Sequence, residues 1–279
     1  MSRMAGWTSL LIMPMLECRT RGKTDPYRPT NTTSNSNSFS REVSHPSTSQ
    51  AHTYLASIIW QSHMLAIFEN TGKKFWEMDL SIWDSLNNTG LRGHYYCTVY
   101  ASRLMVAQGR GLIVVISSMG GLRYLFNVPY GVGKAACDRL AADTAFELKS
   151  RGVASVSLWP GAVQTELVTQ FVVENDSPHG VDPKFKEVFA RGETTELSGK
   201  CIVELAKDKN LMSLTGKVLM TCDLARRYGI QDIDGRSVTD YTSLKFLMTR
   251  VPYLAWLSPF VPSFLRLPRF VLTLASGRF

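Results

Sequence analysis

Three short aliphatic runs, separated by long segments of helical periodicity, constrain the fold of this chain more than any other feature. The runs are GLIVVISS at 111–118, GVASVSLWPG at 152–161 and LTGKVLMT at 214–221. A continuous apolar run bounded by glycine or proline is typical of a strand that is buried on both faces. Such strands, alternating with helices, form parallel β-α-β units with right-handed crossovers. The sequence therefore predicts an α/β fold with a doubly wound parallel sheet.

The segments around these runs carry apolar residues at helical spacing. One long buried helix is predicted over 82–107 and a second over 129–150. A third is predicted over 193–208, with Thr194 or Thr195 as its N-cap. In doubly wound sheets the active site lies beyond the carboxyl ends of the strands, so the residues that follow each run are the first candidates for function.

Chemically useful side chains follow the first run. Ser118 ends the predicted strand, and Tyr130 and Lys134 lie one turn apart at the start of the next helix. A neighbouring ammonium group favours the phenolate and lowers the pKa of a tyrosine. Such a phenol can exchange a proton with a carbonyl oxygen or an alcohol, while a serine hydroxyl holds the same oxygen. The set predicts carbonyl reduction or alcohol oxidation, with hydride supplied by a nicotinamide cofactor.

Each of these features also has a purely structural interpretation. Ser117 and Ser118 are compatible with a polar strand end, and Tyr130 with packing at a helix start. Pro160-Gly161, after the second run, is compatible with a plain turn. Their order and spacing along the chain favour a shared site.

The segments VVISS, YGVGKAACDRLAAD, WPGAVQTEL and LTGKVL together resemble the short-chain dehydrogenase/reductase family, from roughly residue 67 to residue 222. The resemblance implies a Rossmann-like fold and an oxidoreductase that uses NADP or NAD, with NADP favoured. It implies a small-molecule carbonyl or alcohol substrate of steroid or xenobiotic type, and a homo-oligomeric assembly.

The resemblance also implies roles for the residues at the first strand end. Tyr130 is the acid/base, and Lys134 lowers its pKa and binds the nicotinamide ribose. Ser118 orients the substrate oxygen, with Ser117 as the alternative because the spacing to the tyrosine varies within the family.

A cofactor loop follows the second strand by the same resemblance. Pro160 and Gly161 belong to this loop. The backbone of Val163 is expected to meet the nicotinamide carboxamide, and Thr165 is expected to approach the cofactor phosphates.

Two features depart from the family pattern. Gly90 stands where the family has an asparagine that supports a proton relay, and Asn87, one turn earlier, is the candidate substitute. The family's opening Thr-Gly-x-x-x-Gly-x-Gly turn, which cradles pyrophosphate at a helix N-terminus, is absent, as is its Asn-Asn-Ala-Gly stretch. The prediction is an N-terminally incomplete Rossmann-like sheet. The alternative to an active oxidoreductase is a truncated, catalytically impaired form that acts as a membrane-associated or partner-binding protein.

The N-terminal segment 1–66 is predicted to lie outside the family domain, which is placed at 67–222. Residues 19–53 are rich in Ser, Thr, Asn and Pro and nearly lack aliphatic side chains, so they are predicted to be disordered. Residues 54–68 are apolar and are compatible with a helix or with a strand remnant.

Composition excludes several other classes of function. The five cysteines are widely spaced and the five histidines form no cluster, which indicates reduced intracellular thiols and no metal site. The formal net charge of +8 comes without a compact run of Lys and Arg, so nucleic acid is not an expected partner.

The C-terminal extension 223–279 ends in a basic, aromatic stretch. Residues 242–279 hold five cations, no acid and seven aromatic residues, and four prolines break them into short helices. This pattern is typical of a segment that lies in a membrane interface. It predicts a location on the cytosolic face of the endoplasmic reticulum, or otherwise in the cytoplasm. The alternative is a tail that covers its own core or a dimer partner.

Overall fold

The computed structural model describes residues 73–174 and 183–271, except 234, 237, 250, 252, 263, 269 and 270, together with Ile67 and Asn70. The chain divides into two units, Met1–Ser62 and His63–Phe279, and the described residues all belong to the second unit. The predictions for 19–53 and for most of 54–68 therefore lie outside the described residues.

The described part is an alternation of helices and strands. The helices are α1 (Ser81–Asn87), α2 (Leu91–Gln108), α3 (Val128–Leu148), α4 (Pro183–Ala190), α5 (Thr195–Lys207), α6 (Thr221–Tyr228) and α7 (Leu244–Thr249), and the strands are β1 (Gly111–Ile116), β2 (Val153–Trp159) and β3 (Val218–Met220). Short helical turns lie at Phe75–Glu77, Met119–Gly121, Lys149–Arg151, Glu166–Val168, Thr169–Val173, Leu211–Ser213 and Ala255–Phe260.

The three strands form one parallel sheet in the order β1-β2-β3. Gly111 is paired with Val153 and Ile116 with Leu158, so β1 ends one residue before β2. The shorter β3 pairs only with the last part of β2, from Ser157 onwards. The predicted α/β fold with a parallel sheet is confirmed.

Helices cover both faces of the sheet, as in a doubly wound fold. On one face Ile113 and Val115 pack with Met105 of α2 and with Cys137 and Ala141 of α3. The opposite face forms a second cluster, whose sheet residues are Leu112, Ala154, Val156, Leu158 and Leu219 and whose helix residues include Leu197, Cys201, Leu205 and Leu224. Every residue of β2 is buried, which explains its continuous apolar run.

The predicted single buried helix over 82–107 is wrong in two respects. The chain breaks it into α1 and α2, and Gly90 is the N-cap of α2 with a non-helical ψ of −80°. In addition, α2 buries only Thr98 and Met105 fully, whereas Tyr95, Tyr96, Tyr100 and Leu104 are exposed. Apolar periodicity does not distinguish a core-facing stripe from an apolar surface, and this is the reason for the error.

Two smaller differences concern α5 and β3. Thr194 is the N-cap of α5, but its hydroxyl donates to Asp232 rather than capping the helix. The predicted strand over 214–221 begins only at Val218, because Gly216 adopts a left-handed φ of 78° in the preceding turn.

Candidate active site

The two serines at the end of β1 have different surroundings. Ser117 is buried and its Oγ donates to the backbone oxygen of Lys134 at 2.8 Å. Ser118 begins the turn Met119–Gly121, and its Oγ accepts from the Gly120 amide at 3.1 Å. Ser118 also makes a side-chain hydrogen bond with Tyr130. The structure therefore places Ser118, not the alternative Ser117, beside the tyrosine hydroxyl.

A buried asparagine fixes the start of α3, which carries the tyrosine. Asn127 is fully buried, and its Oδ1 accepts from the Tyr130 amide at 2.9 Å as the N-cap of the helix. Phe126 just before it has a positive φ of 62°, and its ring meets the Tyr130 ring edge to face at 5.1 Å. Sequence analysis missed Asn127, although an asparagine two residues before a proline is a recognisable start signal for a helix.

Two glycines make room for close contacts, one with Tyr130 and one with Asn87. A Cβ atom on Gly120 would lie 2.5 Å from Tyr130 Cε1, and one on Gly133 would lie 2.1 Å from Asn87 Oδ1. Asn87 is buried there, and its Nδ2 donates to the Pro129 oxygen at 3.3 Å. The candidate relay residue therefore packs directly on the start of α3.

A small cavity of about 20 Å³ lies at this contact, lined among others by Asn87, Gly90, Tyr130, Gly133 and Lys134. A cavity of this size holds one water molecule if polar partners surround it. The amide of Asn87 and the ammonium of Lys134 are polar groups on its wall. Whether Asn87 supports a proton relay remains a prediction.

Lys134 is directed at the end of β1. Its Nζ donates to the Ile116 oxygen at 3.3 Å and lies 5.8 Å from the centre of the Tyr130 ring. Burial lowers the pKa of Lys134 and raises the pKa of Tyr130, whose hydrogen bond with Ser118 opposes the rise. The expected lowering of the Tyr130 pKa by the lysine is therefore not found, because burial of the phenol outweighs neighbouring interactions.

His94 of α2 is a further titratable group close to Lys134 that sequence analysis did not select. Burial, and then the charge of Lys134, lower the pKa of His94 to about 4, while a hydrogen bond with the Ile116 backbone opposes this. The imidazole is therefore neutral at neutral pH. It adds no second positive charge beside the lysine.

Asp138, one turn beyond Lys134, joins α3 to β2. Its Oδ1 accepts from Ser157 Oγ at 2.6 Å and from Trp159 Nε1 at 2.8 Å. Gly121 lies so close that an added Cβ would be 2.9 Å from both Asp138 Oδ2 and the Ala135 nitrogen. Sequence analysis missed Asp138 because its partners lie about twenty residues further along the chain.

The segment after β2, residues 160–165, is here called the cofactor loop. It begins next to the serines, because the Ser117 amide donates to the Leu158 oxygen at 2.8 Å. The Ala162 amide donates to the Tyr241 hydroxyl at 3.0 Å, and Val163 forms a parallel bridge with Glu193. Thr165 Oγ1 accepts from the Val168 amide at 3.3 Å and caps the turn Glu166–Val168. Pro160 and Gly161 lie at the start of this loop, half-buried.

The predicted residues thus come from two adjacent strand ends. After β1, Tyr130 is hydrogen-bonded to Ser118, and the Lys134 Nζ lies 5.8 Å from the centre of its ring. The cofactor loop follows β2. Among the described residues no group of three or more His, Cys, Asp or Glu side chains has the arrangement of a metal site.

Comparison with known proteins gives the class of this chain. A family model described as short chain dehydrogenase matches residues 49–176. Dehydrogenase/reductase SDR family member 1 of Mus musculus is 58% identical over 217 residues, which cover 77% of this chain and 69% of that protein. The chain therefore belongs to the short-chain dehydrogenase/reductase family. The Homo sapiens protein of the same name is 56% identical over 216 residues, covering 76% of this chain and 68% of that protein.

Solved structures with a similar fold match a smaller part of the chain. ElxO with NADP bound is 28% identical with a TM-score of 0.45, covering 54% of this chain and 60% of that one. A short-chain type dehydrogenase/reductase from Mycobacterium ulcerans is 24% identical with the same TM-score, covering 53% of each chain. The chain thus spans less than two thirds of these solved chains.

Proposed function

We propose that this chain carries the catalytic residues of an NAD(P)-dependent oxidoreductase that reduces carbonyls of small molecules. The observation that carries the proposal is the contact of Ser118 with Tyr130, with Lys134 one helical turn away, at the carboxyl end of β1. Membership of the short-chain dehydrogenase/reductase family supports the same reaction class.

The side chains present fit the nicotinamide-ribose end of such a cofactor. The Lys134 ammonium has three N–H donors, and the Ile116 oxygen accepts from it at 3.3 Å, so donors remain for ribose hydroxyls. The backbone of Val163 and the hydroxyl of Thr165 are the groups proposed to meet the carboxamide and the phosphates. When bound, nicotinamide supplies the hydride.

In the proposed reduction, Ser118 Oγ and Tyr130 Oη hold the carbonyl oxygen of the substrate. Burial keeps the pKa of Tyr130 above its ordinary value of 10.0, so the phenol carries its proton at neutral pH. That is the form required of a general acid, which gives its proton to the oxygen as negative charge develops there. The Lys134 charge then stabilises the phenolate that remains.

Binding of dinucleotide tests the cofactor assignment. Because the sequence lacks the glycine-rich pyrophosphate turn, calorimetry with NADPH and with NADH is expected to show weak or no binding by the unmodified chain.

We define the extended chain as one in which a family-type N-terminal β-α-β half with that turn replaces residues 1–66. This chain is expected to bind either dinucleotide more tightly, and Lys134→Ala should weaken binding because ribose contacts are lost. Micromolar binding of NADPH or NADH by the unmodified chain would contradict the interpretation that its N-terminal segment lacks a pyrophosphate site.

A second proposed property is attachment to a membrane surface by the C-terminal extension, at the cytosolic face of the endoplasmic reticulum. The specific observation is a set of large side chains that are two thirds to four fifths exposed, namely Tyr253, Trp256, Phe260 and Phe264. Prolines and short helical turns interrupt this region. Within the described residues no helix has the length and apolar character needed to cross a bilayer. The exposed aromatic side chains and the short helical turns support attachment in the plane of the interface.

Removing two of these aromatic side chains is expected to reduce attachment. The variant Trp256→Ser with Phe260→Ser should sediment with anionic liposomes severalfold less than the parent chain, because both rings are proposed to enter the interface. Raising the salt concentration to about 0.15 M should weaken the binding of the parent chain as well, because salt screens the attraction between its basic residues and the anionic lipids. The matched control is Phe146→Ser, which changes an equally exposed ring on α3. Equal sedimentation of all three chains would show that the extension is a packing element.

A further inference from the structure

Glu193 is a buried acid that the proposed reaction does not use. Only 6% of its surface is exposed, and its main chain is bonded to the cofactor loop on both sides. The Glu193 amide donates to the Ala162 oxygen at 2.8 Å, and the Glu193 oxygen accepts from the Gln164 amide at 2.8 Å. Together with the bridge to Val163, these bonds make Glu193 the backbone partner of the middle of the loop.

The side chain of Glu193 reaches the start of the same loop and the end of β3. Its Oε2 accepts from Thr221 Oγ1 at 2.9 Å, and the carboxyl group also accepts from the Gly161 amide. A Cβ atom on Gly161 would lie 2.9 Å from Oε2 and 2.7 Å from the Tyr241 ring, so a side chain at this position would break the contact. The second carboxyl oxygen, Oε1, is also buried.

We propose that Glu193 is a positioning residue for the cofactor loop, which its buried carboxyl group ties to the end of β3. The loop in turn meets the C-terminal region through the bond from Ala162 to Tyr241. The consequence for cofactor binding rests on the proposed function of the loop, whereas the anchoring itself depends only on these contacts.

The protonation state of Glu193 governs the stability of the anchor, by which we mean the buried contacts of its carboxyl group with Gly161 and Thr221. Burial raises its pKa to about 7 from 4.5. Hydrogen bonds from Thr221, Gly161 and Ser198 oppose the rise, and the charge of Asp232 adds to it. Because the pKa of Glu193 is higher in the folded chain than in the unfolded chain, the folded state binds the proton more tightly. Protonation of Glu193 therefore contributes to the free energy of unfolding in full below pH 4.5, and this contribution is lost as the pH rises through 7. The anchor is therefore strongest when the carboxyl group is neutral.

The other groups that face Glu193 do not replace it as the titrating group at neutral pH. Burial raises the pKa values of Cys201 and Cys222 to about 12, so both thiols stay neutral. Burial opposes the ionisation of Asp232, but hydrogen bonds from Thr194 and Ile233 and the charge of Arg236 hold its pKa below the ordinary value. Ser198 and Thr221 carry only hydroxyl groups. Around pH 7, Glu193 is thus the member of this set that changes charge.

Hydrogen exchange of the loop amides in the full-length chain tests the proposal. Protection of the Gln164 amide, corrected for the intrinsic exchange rate, is expected to fall about tenfold between about pH 6 and about pH 8 in the parent chain. The reason is that Glu193 is already ionised at pH 6 in the opened state, whereas in the closed state it ionises only as the pH passes about 7. Glu193→Gln keeps a neutral acceptor and should remove this pH dependence while retaining protection. Glu193→Ala should lose protection at both pH values.

The matched control is Glu204→Gln, which changes a more exposed acid on α5 that pairs with Lys207. It should leave the protection profile of the parent chain unchanged. If the parent chain and Glu193→Gln show the same pH profile, the positioning role is overturned, and this comparison stands even if Glu193→Ala fails to fold. In the extended chain, NADPH should slow exchange of the loop amides. If NADPH does not slow exchange of the loop amides while the parent chain shows the expected pH profile, the loop does not bind the cofactor. The positioning of the loop by Glu193 would still stand.

Discussion

Replacing Tyr130 by phenylalanine is expected to lower carbonyl reduction by the extended chain by about 10²- to 10⁴-fold, the usual contribution of a positioned general acid. The change removes the hydroxyl group that gives the proton but keeps the ring. The edge-to-face contact with Phe126 at 5.1 Å should therefore survive, and so should the backbone bond to Asn127. Steady-state rates at saturating NADPH, with urea unfolding as the check on stability, measure the two effects separately.

Tyr124→Phe is the control for this variant, because it also removes one tyrosine hydroxyl close to the same helix start. Tyr124 is 70% exposed and donates to the Phe126 oxygen at 3.3 Å. Its removal should leave the rate within about twofold of the parent, since a surface change of this kind is expected to have little effect. Comparable rates for Tyr130→Phe and the parent chain would rule out the assigned role.

The largest effect on stability is expected from Asp138→Ala. The change leaves the Ser157 hydroxyl and the Trp159 indole N–H without their acceptor, and both residues are almost fully buried. An unsatisfied buried donor costs about 1–3 kcal/mol, so the two together predict a loss of about 2–6 kcal/mol in the free energy of unfolding. The midpoint of urea unfolding measures this loss directly.

Asp143→Ala provides the comparison on the same helix. Asp143 is exposed and pairs with Arg139 one turn earlier, so its removal should cost no more than about 0.5 kcal/mol. If Asp138→Ala were as mild as Asp143→Ala, the bonds from β2 to α3 would not hold the Tyr130 helix in place.

The parts of the fold that could be predicted are those whose signal is local. The Val- and Ile-rich runs of β1 and β2 identify buried strands, and β-α-β order then gives the parallel sheet. The spacing of Tyr130 and Lys134 follows from helix geometry in the same way. Ser117 and Ser118, by contrast, are adjacent and chemically identical, so only packing against α3 separates the buried serine from the one beside Tyr130.

The residues that sequence analysis missed depend on contacts between distant parts of the chain. Asp138 meets Ser157 and Trp159, and Glu193 meets Gly161 and Thr221, and no local pattern shows these pairs. The raised pKa of Tyr130 was missed for the same reason, since burial is a property of the folded chain. The break at Gly90 was missed because a single glycine inside a periodic segment is compatible with a continuous helix.

The central claim is that Tyr130 and Ser118 hold the carbonyl oxygen of a substrate, whose carbonyl carbon would take up the hydride that a bound nicotinamide cofactor supplies. The most direct measurement follows deuterium from reduced cofactor that carries deuterium in place of both hydrogens at the nicotinamide C4 position into the product of the extended chain. The account predicts an alcohol that carries deuterium on the carbinol carbon, formed at a rate that Tyr130→Phe lowers by about 10²- to 10⁴-fold. An unlabelled alcohol, or a labelled one formed equally fast by Tyr130→Phe, would contradict it.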